Sequence, residues 1–197
     1  MLKGLQTILI TLALCAGTVW AGDFEDGLAA ANKQDYVTAN KKFKIAAEKG
    51  NASAQLMLGL SYAAGTGVAQ DYAQAFFWFK LAAAQGDADA QTYLGHMYDN
   101  GHGVVQDYAE AVRWYKLAAA QGKAAAHSAL GFMYGEGRGV VQDYMRAHIW
   151  YNLAAVTGNA TAVQNRDIIA KKMTPQQIAE AQKLARECQA RNFKNCD

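Results

Sequence analysis

The chain lacks an excess of charge of either sign: its 197 residues include 19 lysines and arginines against 17 aspartates and glutamates. A protein that binds nucleic acid through phosphates needs a basic surface, and a net charge of +2 does not supply one. The chain also lacks a continuous apolar run of the roughly 20 residues that span a bilayer. Because 52% of its residues are hydrophobic and 18% are charged, it is too apolar to be disordered. We expect a folded protein that does not bind nucleic acid.

Residue clusters that carry chemistry are missing as well. No two of the four histidines stand three or four residues apart, which is the spacing of a helix-borne metal site. We therefore expect exposed polar positions, not metal ligands, at His96, His102, His127 and His148. The few serines do not stand in a nucleophile-elbow motif. The glycine pair around Thr66 is not followed by the lysine and hydroxyl residue of a phosphate-binding loop. The sequence predicts no catalytic centre, metal or cofactor.

The first 21 residues differ from the rest. Lys3 is their one charged residue, and an apolar stretch covers 5–14. Val19-Trp20-Ala21 then places small or short residues at the positions that a signal peptidase reads. We expect a signal peptide cleaved after Ala21 and a periplasmic or secreted protein without a membrane span after its removal. A retained membrane helix and a lipid anchor on Cys15 are the alternatives. The first is weakened by the short, interrupted apolar run, and the second by Leu14, which replaces the usual small residue before the cysteine.

Cysteine is scarce. Removal of the signal peptide leaves only Cys188 and Cys196. An exported pair in an oxidising compartment favours one disulfide, whereas a redox-active pair is disfavoured because seven residues, not two, separate the cysteines. The sequence predicts a Cys188–Cys196 disulfide.

Internal repetition is the feature that the chain does have. Three near-identical stretches begin at Gly67, Gly103 and Gly139, each 36 residues after the last. Each unit contains two helix-length apolar patterns, and a fixed period of this kind is typical of arrays in which helix pairs bury their apolar faces against neighbouring units. We predict an all-α fold of stacked antiparallel helix pairs.

Positions that stay constant among the units predict local structure. In the first helix they form the stripe Ala54, Leu58, Gly59 and Tyr62, whose glycine requires close approach of a neighbouring ring or helix. The second helix begins after an aspartate N-cap, with reciprocal capping boxes from Gln74 and Glu110, and continues with a tryptophan stripe assigned to the core. The aspartates and the glycines that end these second helices are Asp71, Asp107 and Asp143, and Gly86, Gly122 and Gly158.

The pattern of Ala, Leu-Gly, Tyr, Gly-x-Gly-Val, Asp-Tyr, Trp-Tyr and Ala-Ala resembles the Sel-one-like repeat, a relative of the tetratricopeptide repeat, from Asn51 to Gly158. The resemblance implies a right-handed superhelical α/α solenoid. Thr174-Pro175 predicts the start of a capping helix. The expected boundaries are a signal peptide at 1–21, a degenerate N-terminal repeat at 22–50, repeats at 51–86, 87–122 and 123–158, and a partial repeat with capping helix at 159–197.

The resemblance also implies a binding surface. In tetratricopeptide-like superhelices, residues of the first helices that flank the Leu-Gly pair line the concave face. These positions vary among the three units while the framework stays constant, as expected if they contact a partner. The predicted partner-binding residues are Leu56, Leu60, Tyr93, His96, Asp99, Asn100, Ser128, Phe132 and Glu136.

The family and the missing chemistry predict a non-enzymatic, exported scaffold or adaptor in the bacterial cell envelope. Its expected partner is another protein or peptide of the envelope or of a host. A peptidoglycan- or carbohydrate-binding module is the alternative, favoured by aromatic residues such as Tyr93 and Phe132. A cell-wall or lactam hydrolase is a weaker one, because the relatives for which that activity is proposed carry a cysteine pair in each repeat and this chain does not.

Overall fold

The structure, a computed structural model, describes residues 22–194 and 196. The expected signal peptide and its cleavage after Ala21 lie outside these residues. All regular structure in the described part is helical, which confirms the predicted all-α class. No helix in this part is both long enough and apolar enough to cross a membrane. The helices are α1 (22–32), α2 (Tyr36–Glu48), α3 (Ala52–Ala64), α4 (Tyr72–Ala84), α5 (Ala88–Asn100), α6 (Tyr108–Ala119), α7 (Ala124–Glu136), α8 (Tyr144–Ala155), α9 (Ala160–Ala170) and α10 (Pro175–Ala190).

The chain forms two compact units, of which unit 1 ends at Gln85 and unit 2 begins at Gly86. In unit 1, α3 packs against both α2 and α4. Its core contains Phe43, Leu58 and Trp78 with small alanines between them. Rings and alanines from adjacent helices interdigitate there, as the alternation of large and small residues in the sequence predicts.

In unit 2, α5 packs on α6, α7 on both α6 and α8, and α8 also on α9 and α10. Its core centres on Tyr115, Leu130, Trp150 and Tyr151. Consecutive helix pairs thus pack as the repeat pattern predicts.

The tryptophan stripe is only partly core. Trp78 and Trp150 are buried, but Trp114 is only half-buried, so its assignment to the core is correct only in part. The guanidinium carbon of Arg113 lies 5.0 Å from the centre of the Trp114 ring. The repeat position is therefore compatible with partial exposure when a neighbouring cation shields the ring.

Aspartates cap the second helices as predicted. The side chains of Asp71, Asp107 and Asp143 each accept a hydrogen bond from a first-turn amide. The reciprocal bonds predicted from Gln74 and Glu110 are not formed in these helices, and Glu110 pairs with Arg113 instead. Three of the first helices, α3, α5 and α9, have side-chain caps that were not predicted from the sequence, whereas α7 has none. These caps are Asn51, Asp87 and Asn159.

Each Leu-Gly glycine lies beneath an aromatic ring of the second helix. A Cβ atom at Gly59, Gly95 or Gly131 would lie 2.5–2.8 Å from carbon atoms of Phe79, Tyr115 or Tyr151, closer than van der Waals contact allows. The predicted close approach is therefore confirmed. These glycines let the ring of the second helix cross the backbone of the first.

The capping helix α10 closes one face of α8. It begins with the predicted capping box between Thr174 and Gln177. On α8, Leu153 is 3% exposed, whereas Leu117 at the equivalent position of α6 is 44% exposed. The α8 face is buried because α10 packs on it.

The structure contains the predicted disulfide between Cys188 and Cys196. This bond ties the C-terminal residues back to the end of α10. The intervening Phe193 packs against His127, with 5.0 Å between the ring centroids, and against Gly122. The disulfide therefore also holds the Phe193 ring against the core of unit 2.

Candidate functional site

A groove of about 480 Å³ opens on the surface of unit 2. Helices α5 and α7 supply side chains on either side of the Leu-Gly pairs, α6 and α8 supply one tyrosine each, and the start of α9 closes one end. The lining residues are His96, Asp99, Tyr115, Ala125, Ser128, Ala129, Phe132, Tyr151, Asn159, Thr161 and Asn165.

Four of the predicted partner-binding residues meet in this groove: His96, Asp99, Ser128 and Phe132. Phe132 offers the largest apolar surface among them, because its side chain is 38% exposed. These four positions differ in chemistry, comprising an imidazole, a carboxylate, a hydroxyl and a phenyl ring. The groove is therefore both aromatic and polar, as expected of a binding surface that recognises a specific partner.

The other predicted residues lie elsewhere. Tyr93, Asn100 and Glu136 are exposed on α5 and α7 but do not line the groove. Tyr93 stands three residues before His96, so both occupy one face of α5. Leu56 and Leu60 are half-buried on α3, in unit 1. A binding role for all nine residues stays a prediction.

The close approach at Gly95 shapes the groove wall. Because Gly95 has no side chain, the Tyr115 ring crosses α5 and its hydroxyl lies 3.0 Å from Nδ1 of His96. Burial, reinforced by the charge of Asp99, raises the pKa of Tyr115 far above its usual range. The hydroxyl therefore stays protonated and can donate to Nδ1, which fixes the orientation of the imidazole.

Desolvation affects two further groups in the groove. It lowers the pKa of His96, although the nearby charge of Asp99 opposes the shift. It raises the pKa of Tyr151 to about 12, assisted by Glu136 and opposed by a hydrogen bond from Asn165. At neutral pH the groove thus presents a neutral imidazole and two protonated phenols beside the carboxyl group of Asp99.

Sequence reasoning missed Tyr115, Tyr151, Asn159, Thr161 and Asn165. The two tyrosines belong to the core of their helix pairs, and their hydroxyl groups reach the groove only across the repeat glycines. The other three are the N-cap of α9 and two residues of that helix, beyond the full repeats. One signal could have identified the tyrosines: the equivalent residue in unit 1 is Phe79, so only unit 2 adds a hydroxyl at this position.

The assignment of all four histidines to exposed positions is wrong for two of them. His127 and His148 are buried, at 1% and 2% exposure. Nε2 of His127 donates to the carbonyl oxygen of Ala119 at 3.0 Å, and the ring stacks on Trp150. Gln55, two repeats earlier, makes the equivalent bond to Ala47. His127 therefore replaces a structural glutamine.

This replacement predicts acid sensitivity. Burial lowers the pKa of His127, although its bond to Ala119 opposes the shift. As the pH falls below the unfolded value of about 6.5, the unfolded chain takes up a proton that the folded chain does not, so the free energy of unfolding decreases. We expect His127→Gln to lose less stability than the wild type between about pH 7.5 and pH 5, as urea denaturation at each pH would measure.

A matched control for this experiment is His102→Gln at the exposed turn, which should follow the wild-type pH dependence. Burial also lowers the pKa of His148 and of His96, and both groups are present in all three proteins, so they leave a common residual pH dependence of the free energy of unfolding. Parallel curves for the wild type and His127→Gln would contradict the assignment.

The arrangement is suited to holding a ligand through shape and hydrogen bonds. Its polar groups are a carboxyl, two phenols, an imidazole, two hydroxyls and two amides, set around an exposed phenyl ring. Among the described residues, no group of three histidine, cysteine, aspartate or glutamate side chains is placed to bind a metal ion.

A protein-family model described as "Sel1 repeat" matches residues 52–87, 88–123 and 124–155. The chain belongs to the Sel1 repeat family. The three matched Sel1 repeats contain α3 to α8, including most of the groove lining. A search of the curated proteins found no match.

Solved structures of other repeat proteins are similar to this Sel1-repeat chain. A protective antigen present in uropathogenic Escherichia coli strains, with an SLR fold, is 41% identical at a TM-score of 0.71, over 78% of this chain. The chain spans only 34% of that antigen's length. A Sel1 repeat protein from Oxalobacter formigenes is 30% identical at a TM-score of 0.74, over 85% of this chain and 70% of its own.

Cysteine-rich protein B of Helicobacter pylori shares the fold at a TM-score of 0.52 and 22% identity, over 64% of this chain and 95% of its own. Sel1-repeat proteins are typically protein-interaction scaffolds and are generally non-catalytic.

Proposed function

We propose that this protein is a non-enzymatic, exported scaffold of the bacterial cell envelope that binds another protein or peptide through the unit 2 groove. The observation that carries the proposal is the meeting of four residues from three variable repeat positions, His96, Asp99, Ser128 and Phe132, in one concavity. Constant positions of the same helices form the core. A fixed framework with a chemically varied groove is the arrangement that a specific partner requires.

Two further features support the envelope location. The Cys188–Cys196 disulfide is typical of an oxidising compartment. The similarity to the uropathogenic antigen is in line with an exported protein. The partner is then a component of the envelope or of a host surface.

The family favours a protein or peptide over a sugar, because Sel1 repeats mediate protein–protein interaction. The guanidinium group of Arg138 lies 4.8 Å from the centre of the Phe132 ring. A sugar or a peptide side chain can therefore stack on this ring only after Arg138 leaves it.

Photo-crosslinking in intact cells tests the proposal. Ser128→p-benzoylphenylalanine places the reactive group in the groove, and Leu117→p-benzoylphenylalanine on α6 is the control outside the groove lining. We expect an adduct of discrete mass at position 128, recovered with the envelope fraction, and none of that mass at 117. A discrete adduct at 117 alone would refute the groove assignment, and retention on purified sacculi without a protein adduct would support the sugar alternative.

A further inference from the structure

The carboxyl group of Asp99 has fewer hydrogen bonds than its burial requires. It lies in the groove wall with 14% of its side chain exposed. Its Oδ1 atom is buried and accepts no hydrogen bond from any described residue. The cation Arg138 places Nη1 3.9 Å from this oxygen, which is beyond hydrogen-bond distance. Because a buried carboxylate oxygen without a donor is costly, this geometry indicates a position for a donor from outside the chain.

A second unsatisfied atom lies in the same groove. Oγ of Ser128, on α7, is also buried without a hydrogen-bond partner among the described residues. Ser128 and Phe132 are four residues apart on α7 and therefore share one face of that helix. The groove thus combines two oxygen acceptors with an exposed phenyl ring.

Arg138 shows which chemistry fits between the carboxylate and the ring. Its guanidinium carbon lies 4.8 Å from the centre of the Phe132 ring and 5.5 Å from that of Tyr108. A planar guanidinium can stack on an aromatic face while its edge bonds a carboxylate in bidentate fashion, which an ammonium cannot do. Arg138 achieves the stacking but stays too far from Asp99 for the bonds.

Arg138 is also easily displaced from its position between Phe132 and Asp99. It stands between Gly137 and Gly139, both with positive φ angles, in the turn between α7 and α8. The equivalent turn residues are Thr66 and His102, so the turn itself does not require arginine. Its side chain is 43% exposed, and an ion pair at such a distance and exposure contributes little to stability.

We propose that the groove recognises an arginine side chain of its partner, which stacks on Phe132 and bonds Asp99 in place of Arg138. This inference rests on the proposed function, since it assigns the partner's chemistry at the same groove. The nearby Glu136 adds negative charge, and the neutral state of His96 avoids a competing positive charge. Arg138 then acts as an internal competitor that the partner displaces.

The test uses the full mature protein, uniformly labelled with ¹⁵N, and two blocked tripeptides, N-acetyl-Gly-Arg-Gly-amide and its citrulline analogue. Citrulline has nearly the same shape as arginine but no charge. We expect NMR shift changes around Asp99 and Phe132, with the arginine peptide bound roughly tenfold more tightly. Equal affinities, or no binding of the arginine peptide, would overturn the inference.

Two variants assign the roles. Asp99→Asn removes the charge but keeps nearly the same side-chain shape, so it should abolish the preference for arginine over citrulline. Arg138→Gln should tighten binding of the arginine peptide several-fold, because it removes the competitor. Weaker binding by Arg138→Gln would mean that Arg138 itself contacts the ligand, contrary to the inference. The crosslink from position 128 does not depend on arginine, so an adduct without arginine preference would refute this inference alone.

Discussion

Replacing Gly131 by alanine is expected to destabilise the protein by about 1–3 kcal/mol, although alanine is the better helix former. The new Cβ would lie 2.8 Å from Cδ1 and Cε1 of Tyr151 and 2.9 Å from Cγ. Because Cγ is close to the backbone, a side-chain rotation cannot move it aside. Tyr151 is itself buried between α7 and α8. The helices must therefore separate, and core contacts are lost.

The same helix supplies the control. Gly135 is also buried in α7, but a Cβ there would meet its nearest neighbour, Cδ1 of Ile169, at 3.4 Å, an ordinary contact. Gly135→Ala should be neutral or stabilise by up to about 1 kcal/mol through helix propensity. Urea denaturation of both variants measures the difference. If Gly131→Ala is as stable as Gly135→Ala, close packing does not explain the repeat glycine.

The repeat period made most of the fold predictable. A 36-residue spacing places equivalent residues in equivalent environments, so three copies of each pattern support the same assignment. The Asp71, Asp107 and Asp143 caps and the role of Gly95 follow from local chemistry and are confirmed.

Where a repeat position changes residue, prediction was weaker. His127 occupies the position of Gln55 and Gln91, and its burial follows from the conserved bond to a carbonyl oxygen, not from its residue type. The burial of His127 could have been predicted from the sequence, since an alignment of the three repeats places His127 at the position of two glutamines. The prediction for Trp114 errs in the opposite direction: the residue is constant among the repeats, but its burial is not.

The groove was predictable only in part. Variation among repeats identified His96, Asp99, Ser128 and Phe132, but it did not separate them from Tyr93 or Glu136, which are exposed outside the lining. Exposure alone permits variation, whether or not a partner is bound. The contribution of Tyr115 depends on a ring crossing a glycine, a packing detail that no spacing rule encodes.

Loss of the exposed aromatic residues is expected to abolish partner binding without affecting the fold. Phe132 offers the largest apolar surface among the groove residues. Tyr93 is not part of the groove lining but lies on the same face of α5 as His96. Aromatic anchors of this kind typically contribute 2 kcal/mol or more, so Tyr93→Ala with Phe132→Ala should weaken binding by roughly 30-fold or more. Both side chains are exposed, and circular dichroism and the melting temperature should stay unchanged.

The most direct measurement is the affinity of the partner crosslinked from position 128 for this double variant, determined by calorimetry. The matched control is Leu117→Ala with Val141→Ala, which removes two exposed apolar side chains of unit 2 that do not line the groove. The account predicts that the aromatic pair loses binding while the control pair binds like the wild type. Wild-type affinity in the aromatic pair, together with lost affinity in the control pair, would contradict it and assign binding to a surface that includes neither Tyr93 nor Phe132.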